Sequence, residues 1–361
     1  MRVHDFVDEG LGHSSYVIDL GNDTAAVIDP PRFPIAHEQL TERQGLRVVW
    51  TIDTHSHADY VTGSPGLAAR RVATFIAPAA SRLETPHLPV TDGARVELAR
   101  GIFLVAIATS GHTPDHHSYV LEENGIPLAL FSGGSLMVGT VGRTDLCGPD
   151  LAEALAHEMF RGLRRFDNLP ADVAVYPTHG AGSFCSAPGA SLRTSTLGHE
   201  HATNPLFSIG DEDLFVERLV AGFGTFPTYF DRLPELNRLG PTRYDSMPEL
   251  AQLTTDDVQR HLESGAVIVD ARPAAPSLSV TCPGHCPTRC ARCSPVGSVG
   301  SWSPTVGSSS SSMTARTVPT SFVSALTSGT NGYSASSTAA LPPGPPPDCR
   351  PPPFRWSAPP T

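Results

Sequence analysis

Two histidines and an aspartate lie close together at residues 54–60 (THSHADY). This segment follows the apolar run at residues 48–52 (VVWTI), so the side chains of His55, His57 and Asp59 are expected to leave the end of a buried strand and open into a cleft. Imidazole is largely neutral at pH 7 and is the commonest metal ligand in proteins. The motif therefore indicates a site for a divalent metal ion.

Two later histidines also follow apolar stretches of the chain that are expected to form strands. His112 follows the apolar residues 102–108, and His179 follows residues 173–176. A single histidine at a strand end is ordinary, but three such sites in this order and at this spacing are not. The pattern favours a metal centre over capping or surface histidines.

With these motifs, residues 1–240 resemble the metallo-β-lactamase superfamily. The segments FSGGSL (residues 131–136) and GRTDL (residues 142–146) are most similar to the persulfide dioxygenase branch, which includes members fused to a rhodanese domain. The resemblance implies an α/β fold of the αββα sandwich type. There are two departures: the superfamily motif ends Asp-His where this chain has Tyr60, and the bridging aspartate of the family falls at Gly134.

The resemblance also implies a ligand set. In the superfamily, the first two histidines of the motif and the histidine at position 112 surround one metal, while the motif aspartate, its final histidine and the late histidine surround a second. Carried over, His55, His57 and His112 are present for the first ion, but only Asp59 and His179 remain for the second. We therefore expect at most one metal per chain, with His179 contributing less to its binding than the first three histidines.

Persulfide dioxygenases hold one Fe(II) with the histidines at positions 55 and 112 and the aspartate at position 134, an open triad that binds O2. Without that carboxylate, either His57 completes a three-histidine site, or Asp59 moves in, or affinity is lost. Fe(II) is the favoured cofactor, and Zn(II) is the alternative. An aspartate restored at Gly134 is expected to raise iron affinity, whereas Tyr60 could bind a metal only as phenolate, from a reference pKa of about 10.

Three functions are compatible with these residues. The resemblance implies oxidation of a glutathione-type persulfide to sulfite by O2. The alternatives are a zinc hydrolase of the glyoxalase II or lactamase type, acting on a thioester or lactam, and a metal-poor, non-catalytic binding protein. The expected partner is accordingly a small thiol or persulfide.

Composition excludes other partners. The net charge of −11 argues against nucleic acid, and apolar runs of strand length argue against a membrane span. A charged residue near the start of the N-terminus and the scarcity of cysteine before residue 280 favour a cytoplasmic protein. The oligomeric state is left open by the sequence.

Three features beside the histidines have two interpretations each. Arg143 and Asp145 either bind a carboxylate of a glutathione-like thiol or form an ordinary surface ion pair. Asp115 either orients His112 or stabilises its own turn. Cys185 either faces the cleft or packs in the core, and packing is the more common role of such a cysteine.

The first domain, residues 1–247, is expected to interleave strands with helices. Asp150 is the expected N-cap of an amphipathic helix, and apolar strands suggest two packed sheets with helices outside. The expected strands are a hairpin at residues 16–20 and 25–29, and residues 73–77, 102–108, 117–121 and 128–131; the expected helices are residues 67–71 and 150–166, with further helix within 211–240.

A second domain begins near residue 248. Residues 253–262 predict a capped helix and residues 266–270 a strand; with Asp270 and Arg272, residues 248–272 resemble the opening of a rhodanese domain. Residues 273–361 contain one acidic residue and 17 of the 35 prolines of the chain, a composition typical of a disordered tail.

A constant shift of the reading frame gives this tail another interpretation. Back-translated and read from the third base of each codon, it regains a rhodanese-like turn, a valine strand and a helix, near residues 279–287, 307–314 and 328–334. We interpret residues 273–361 as an out-of-frame translation of a rhodanese domain. The zinc-knuckle spacing found there is then an accident of translation (Cys282, His285, Cys286, Cys290 and Cys293).

Overall fold

The computed structural model describes residues 1–186, 192–244, 248, 250–270, 314–317 and 336–339. The chain divides into two units, Met1–Ser246 and Met247–Thr361. The first unit contains two six-stranded sheets and a two-stranded hairpin.

The first sheet pairs six strands in chain order. Its first three strands form an antiparallel meander that includes the expected hairpin, and the later strands pair in parallel. Asn22 and Asp23 form the hairpin turn with positive φ angles of 51° and 56°, as tight hairpins require. The strands are β1 (Arg2–Asp8), β2 (His13–Gly21), β3 (Thr24–Ile28), β4 (Arg47–Ile52), β5 (Thr74–Pro78) and β6 (Leu88–Val90).

The second sheet has the order β14-β13-β10-β9-β8-β7, with β10 and β13 parallel and the other pairs antiparallel. A hairpin of two short strands, β11 and β12, follows β10 in the chain. The strands are β7 (Arg95–Ala99), β8 (Ile102–Ala108), β9 (His117–Glu123), β10 (Ile126–Gly133), β11 (Leu136–Met137), β12 (Thr140–Val141), β13 (Ala174–Pro177) and β14 (Ser195–Thr196).

Helices cover the outer faces of the two sheets. Leu67 packs in a cluster on the first sheet, and Met159 and Leu219 pack in a cluster on the second. The helices of this unit are α1 (Ile35–Arg43), α2 (Ser64–Arg71), α3 (Pro149–Arg164), α4 (Leu197–Thr203), α5 (Glu212–Ala221) and α6 (Leu233–Leu239). Across the described residues, no helix is both long and apolar enough to cross a membrane.

The main core lies between the sheets. Tyr16 and Ile52 of the first sheet belong to one buried cluster with Tyr119 and Phe131 of the second. Because each sheet is covered on one face by the other sheet and on the opposite face by helices, its central strands are apolar on both faces. This arrangement is the αββα sandwich expected from the sequence.

The start of α3 differs from the sequence expectation. The N-cap is Gly148 rather than Asp150, and the first helical residue is Pro149. Gly148 has a φ of 109°, which favours glycine, and proline suits the first helical position because it has no N–H to leave unsatisfied. Asp150 lies in the first turn, where its charge interacts favourably with the helix dipole.

The histidine-containing segments identified in the sequence follow strands whose ends lie next to each other. Strands β3 and β4 are parallel, as are β10 and β13, so each pair ends at one edge of its sheet. The two edges are joined by hydrogen bonds from Ser14 N to Thr178 O (2.6 Å) and from His117 N to Thr54 O (2.9 Å). Ligands in α/β sheets usually bind at such edges.

The second unit contains α7 (Thr255–Glu263) and a three-stranded sheet in which β15 (Ile268–Asp270) and β16 (Thr314–Thr317) flank β17 (Ser336–Ala339). Thr254 and Asp257 form a capping box at the start of α7, in agreement with the expected capped helix. Strands β16 and β17 lie within residues 273–361, where the composition predicted a disordered tail. The rest of the tail, including its cysteines, lies outside the described residues, and the rhodanese and frameshift assignments stay predictions.

We expect truncation after Pro248 to leave the melting temperature and the metal content of the protein nearly unchanged. Helix α7 buries no residue, and Val267 is 52% exposed next to a strand, which promotes association between chains. The cut retains Thr242 and Tyr244, whose carbonyls accept hydrogen bonds from arginines of the first unit. Thermal melts and metal analysis of both proteins test this expectation. A large loss of stability on truncation contradicts it, and the shorter chain should be more soluble.

Candidate metal centre

Four of the histidines singled out in the sequence are buried and lie together. Nε2 of His55 is 3.5 Å from Nε2 of His179, and the ring centroid of His112 is 5.0 Å from that of His55 and 5.2 Å from that of His179. One ligand atom from each of His55, His57 and His179 lies within 4.8 Å of the others. His179 thus belongs to the same cluster as the first two histidines, although the sequence assigned it a lesser role.

A buried carboxylate holds His57. Nε2 of His57 lies 3.1 Å from Oδ1 of Asp29, while its Nδ1 has no hydrogen-bond partner among the described residues. Burial alone would lower the pKa of His57, but the charge and hydrogen bond of Asp29 outweigh it and raise that pKa. Asp29 also accepts hydrogen bonds from Thr54 and Thr178. The contact places a proton on Nε2 and leaves Nδ1 to bind a metal.

Asp29 was missed in the sequence analysis. It follows β3 directly, as the histidine motif follows β4, and a polar residue at a strand end was the signal that could have identified it.

His55 and His112 are held by their Nδ1 atoms. The hydroxyl of Thr54 donates to Asp29 and therefore accepts from Nδ1 of His55 at 2.8 Å. Nδ1 of His112 donates to the carbonyl of Arg143 at 2.8 Å, and burial lowers the pKa of His112 to about 4. Both rings are therefore neutral at pH 7, with an unprotonated Nε2, the form of imidazole that binds metals.

Asp59 is buried, with only 3% of the residue exposed, and the thiol of Cys185 lies within hydrogen-bonding reach of its carboxylate. Its Oδ2 lies 3.4 Å from Nδ1 of His179, and burial raises the pKa of Asp59 to about 6. A buried carboxylate is costly unless a cation balances its charge. Together with the unpartnered Nδ1 of His57 and Nε2 of His112, this carboxylate fits a divalent metal ion.

Asp115 does not orient His112, so that interpretation is wrong. Its Oδ2 accepts hydrogen bonds from Ser56 N (2.9 Å), Ser56 Oγ (2.7 Å) and Ser81 Oγ (2.6 Å). Asp115 therefore holds the loop between His55 and His57, and His112 is oriented by the backbone of Arg143.

Tyr60 and His116 also lie in the cluster, and hydrogen bonds occupy their polar atoms. The hydroxyl of Tyr60 donates to Asp29 O at 3.2 Å, and burial raises its pKa well above the usual range. Nε2 of His116 accepts from Gly134 N at 2.8 Å, and its Nδ1 donates to Thr109 Oγ1 at 2.9 Å. Neither side chain leaves a buried polar atom without a hydrogen-bond partner in the described part of the chain.

His13 was also missed by the sequence analysis. Its ring lies 4.2 Å from that of Tyr60, and burial lowers its pKa to about 3. Nε2 of His13 has no partner in the described part of the chain, but its ring centroid is 6.4 Å from that of His57 and 6.5 Å from that of His179. It borders the cluster as a neutral side chain.

Gly134 packs directly on a ligand. A Cβ atom added to Gly134 would lie 2.1 Å from Cδ2 and 2.6 Å from Cγ of His112. The hydrogen bond of His112 to Arg143 holds the ring in this place. An aspartate at position 134 therefore cannot simply add a ligand, because His112 has to move first.

Arg143 is buried rather than on the surface. Its guanidinium group donates to both carboxylate oxygens of Asp145 (2.6 and 2.7 Å), to Phe184 O (3.0 Å) and to Gly224 O (2.5 Å). These bonds occupy four of its five N–H donors, which favours a structural role. A contact of Arg143 or Asp145 with substrate stays a prediction.

The chain is similar in sequence to several known proteins. A family profile described as the metallo-beta-lactamase superfamily matches residues 8–179, which include all four histidines of the cluster. The chain is 30% identical over 195 residues to the mitochondrial persulfide dioxygenase ETHE1 of Homo sapiens, covering 52% of this chain and 68% of that protein. It is 33% identical over 163 residues to a hydroxyacylglutathione hydrolase of Parasynechococcus marenigrum, covering 44% and 62% respectively.

The fold of the chain is also similar to solved structures of other proteins. A metallo-beta-lactamase from Staphylococcus aureus aligns with a TM-score of 0.64 and 28% identity, covering 70% of this chain and 76% of that one. ETHE1 from Myxococcus xanthus aligns with a TM-score of 0.57 and 26% identity, covering 66% of this chain and 98% of that one.

Proposed function

The chain belongs to the metallo-β-lactamase superfamily, and we propose that it is a mononuclear metalloenzyme that oxidises a glutathione-type persulfide to sulfite. The observation that carries this proposal is the buried cluster of histidines, in which Nδ1 of His57 and Nε2 of His112 have no hydrogen-bond partner among the described residues, next to the buried carboxylate of Asp59. The similarity to persulfide dioxygenases supports the choice of substrate.

The reaction converts a persulfide RSSH, O2 and water into RSH, sulfite and two protons. The terminal sulfur loses electrons to O2, and the S–S bond breaks. A bound Fe(II) would supply this redox chemistry.

The chain's own residues would hold the metal and shape its surroundings. His55, His57 and His112 would bind the ion, and Asp29 orients His57. Phe184 and Phe230 belong to an apolar cluster that also contains Ala58 and Cys185. An apolar cluster at this place would limit the access of water to the reacting persulfide.

A zinc-dependent hydrolase is the second candidate, because the similarity extends to hydroxyacylglutathione hydrolases. A three-histidine set suits Zn(II) with a bound water. The missing side chain at Gly134 and the phenol of Tyr60 leave the second metal position of a two-metal hydrolase with few donors. Oxidation by a single metal is for this reason the preferred proposal.

We expect the purified protein to contain iron and to consume O2 when glutathione persulfide is added. An oxygen electrode, sulfite analysis and metal analysis measure these properties in the same preparation. His57→Ala should lose the activity, whereas His199→Ala, which changes an exposed histidine of α4, should retain it. Zinc with thioester hydrolysis and no O2 uptake would favour the hydrolase, and absence of bound metal would contradict both enzymes.

A further inference from the structure

A thiol lies beside the metal centre and is not among the ligands assigned above. One ligand atom from each of His112, His179 and Cys185 lies within 4.8 Å of the others, and all three residues are fully buried. We propose that the thiolate of Cys185 binds the metal together with His112 and His179, and supplies the anionic ligand that is absent at Gly134. The inference rests on the metal binding in the proposed function, but not on persulfide oxidation.

Neighbouring atoms point independently to a cation at this place. Nε2 of His112 is buried and has no hydrogen-bond partner among the described residues, and the buried carboxylate of Asp59 lies beside the thiol of Cys185. Asp59 also contacts the ring of His179, with Oδ2 3.4 Å from Nδ1. The surroundings of an ordinary core cysteine are apolar and would not contain a buried carboxylate and an unpartnered imidazole nitrogen.

The backbone of Arg143 contacts both His112 and Cys185. The carbonyl of Arg143 accepts from Nδ1 of His112 at 2.8 Å, and the amide of Arg143 donates to the carbonyl of Cys185 at 3.0 Å. The guanidinium group of the same residue donates to Phe184 O, next to Cys185 in the chain. The spacing between the imidazole and the thiol is therefore set by hydrogen bonds as well as by packing.

The chemistry of a thiolate suits the site. Imidazole ligands leave a divalent ion with its full charge, and one thiolate would reduce that charge as the family aspartate would. A cysteine binds a metal as the thiolate, so metal binding would displace the proton of the thiol. Thiolate and imidazole together suit iron, zinc and cobalt.

Cobalt titration tests the inference in the full-length chain. To remove other thiols, the cysteines of the tail are replaced by serine (Cys282, Cys286, Cys290, Cys293 and Cys349). This parent protein retains Cys147 and Cys185. We expect it to develop a thiolate-to-cobalt charge-transfer band in the near ultraviolet. Cys185→Ser should remove the band and weaken cobalt binding at least ~100-fold, the upper end of the cost of losing an outer-sphere partner. Cys147→Ser is the matched control and should retain both.

A band that persists in Cys185→Ser, or is absent from the cobalt-loaded parent, overturns the inference. Melting of the metal-free proteins separates ligand loss from misfolding, and Cys185→Ala replaces the serine variant if the hydroxyl destabilises the apolar cluster. The two proposals fail separately. A parent that shows the band but takes up no O2 with persulfide contradicts the proposed oxidation and leaves Cys185 as a ligand. A parent that takes up O2 without the band keeps the function and excludes Cys185.

Discussion

Replacing His55, His112 or His179 with alanine is expected to abolish stoichiometric metal binding. His55 and His112 each offer an unprotonated Nε2 in a buried cluster, and each is held there by a hydrogen bond to Nδ1. Removing one ring leaves too few donors to replace the water lost by the ion. Metal analysis after loading with one metal, and the shift in melting temperature on loading, measure the effect.

The expectation for His179 changes with the structure. The sequence assigned it to an incomplete second site, and so to a smaller loss on substitution. In the structure it groups with His55 and His57 on one side and with His112 and Cys185 on the other, so its loss should be as severe. His199→Ala is the control for the loss of a histidine as such.

Because both groups share His179, we expect at most one tightly bound metal per chain. Two tightly bound equivalents in the wild-type protein would contradict this expectation.

Substitutions at Gly134 are expected to have the second-largest effect. Gly134→Ala should lower both metal affinity and the stability of the metal-free protein, because the new Cβ would lie 2.1 Å from Cδ2 of His112. Overpacking of this kind costs about 1–3 kcal/mol. Displacement of the ring also weakens its hydrogen bond to Arg143, which orients the ligand. Thermal melts with and without metal measure the two effects separately.

Gly134→Asp distinguishes charge from steric effect. It introduces the same Cβ as alanine, but adds a carboxylate whose attraction to a dication is worth several kcal/mol at an effective dielectric constant of about 20. We therefore expect the aspartate variant to bind iron more tightly than the alanine variant, while both are less stable than wild type without metal. Equal iron affinities would show that a side chain at position 134 does not reach the metal.

Much of the fold and the position of the centre follow from local patterns. Apolar periodicity predicted β8 with its full bounds, and β9, β10 and α3 to within a few residues, because buried strands and amphipathic helices repeat apolar residues at their own spacing. The same patterns placed His55, His112 and His179 just beyond strand ends. Neighbouring strand ends in these sheets lie together, so the ligand cluster could be inferred before its geometry was known.

The sequence by itself therefore determined the fold class, the donor types and the absence of a carboxylate at Gly134. Only the tertiary structure decided which groups hold the donors: Asp29 lies 28 residues from His57 in the chain, and Arg143 lies 31 residues from His112. Local periodicity carries no information about such pairs, because their contact depends on how the two sheets pack. For the same reason, the place of Cys185 beside His112 and His179, and the close packing of Gly134 on His112, became visible only in three dimensions.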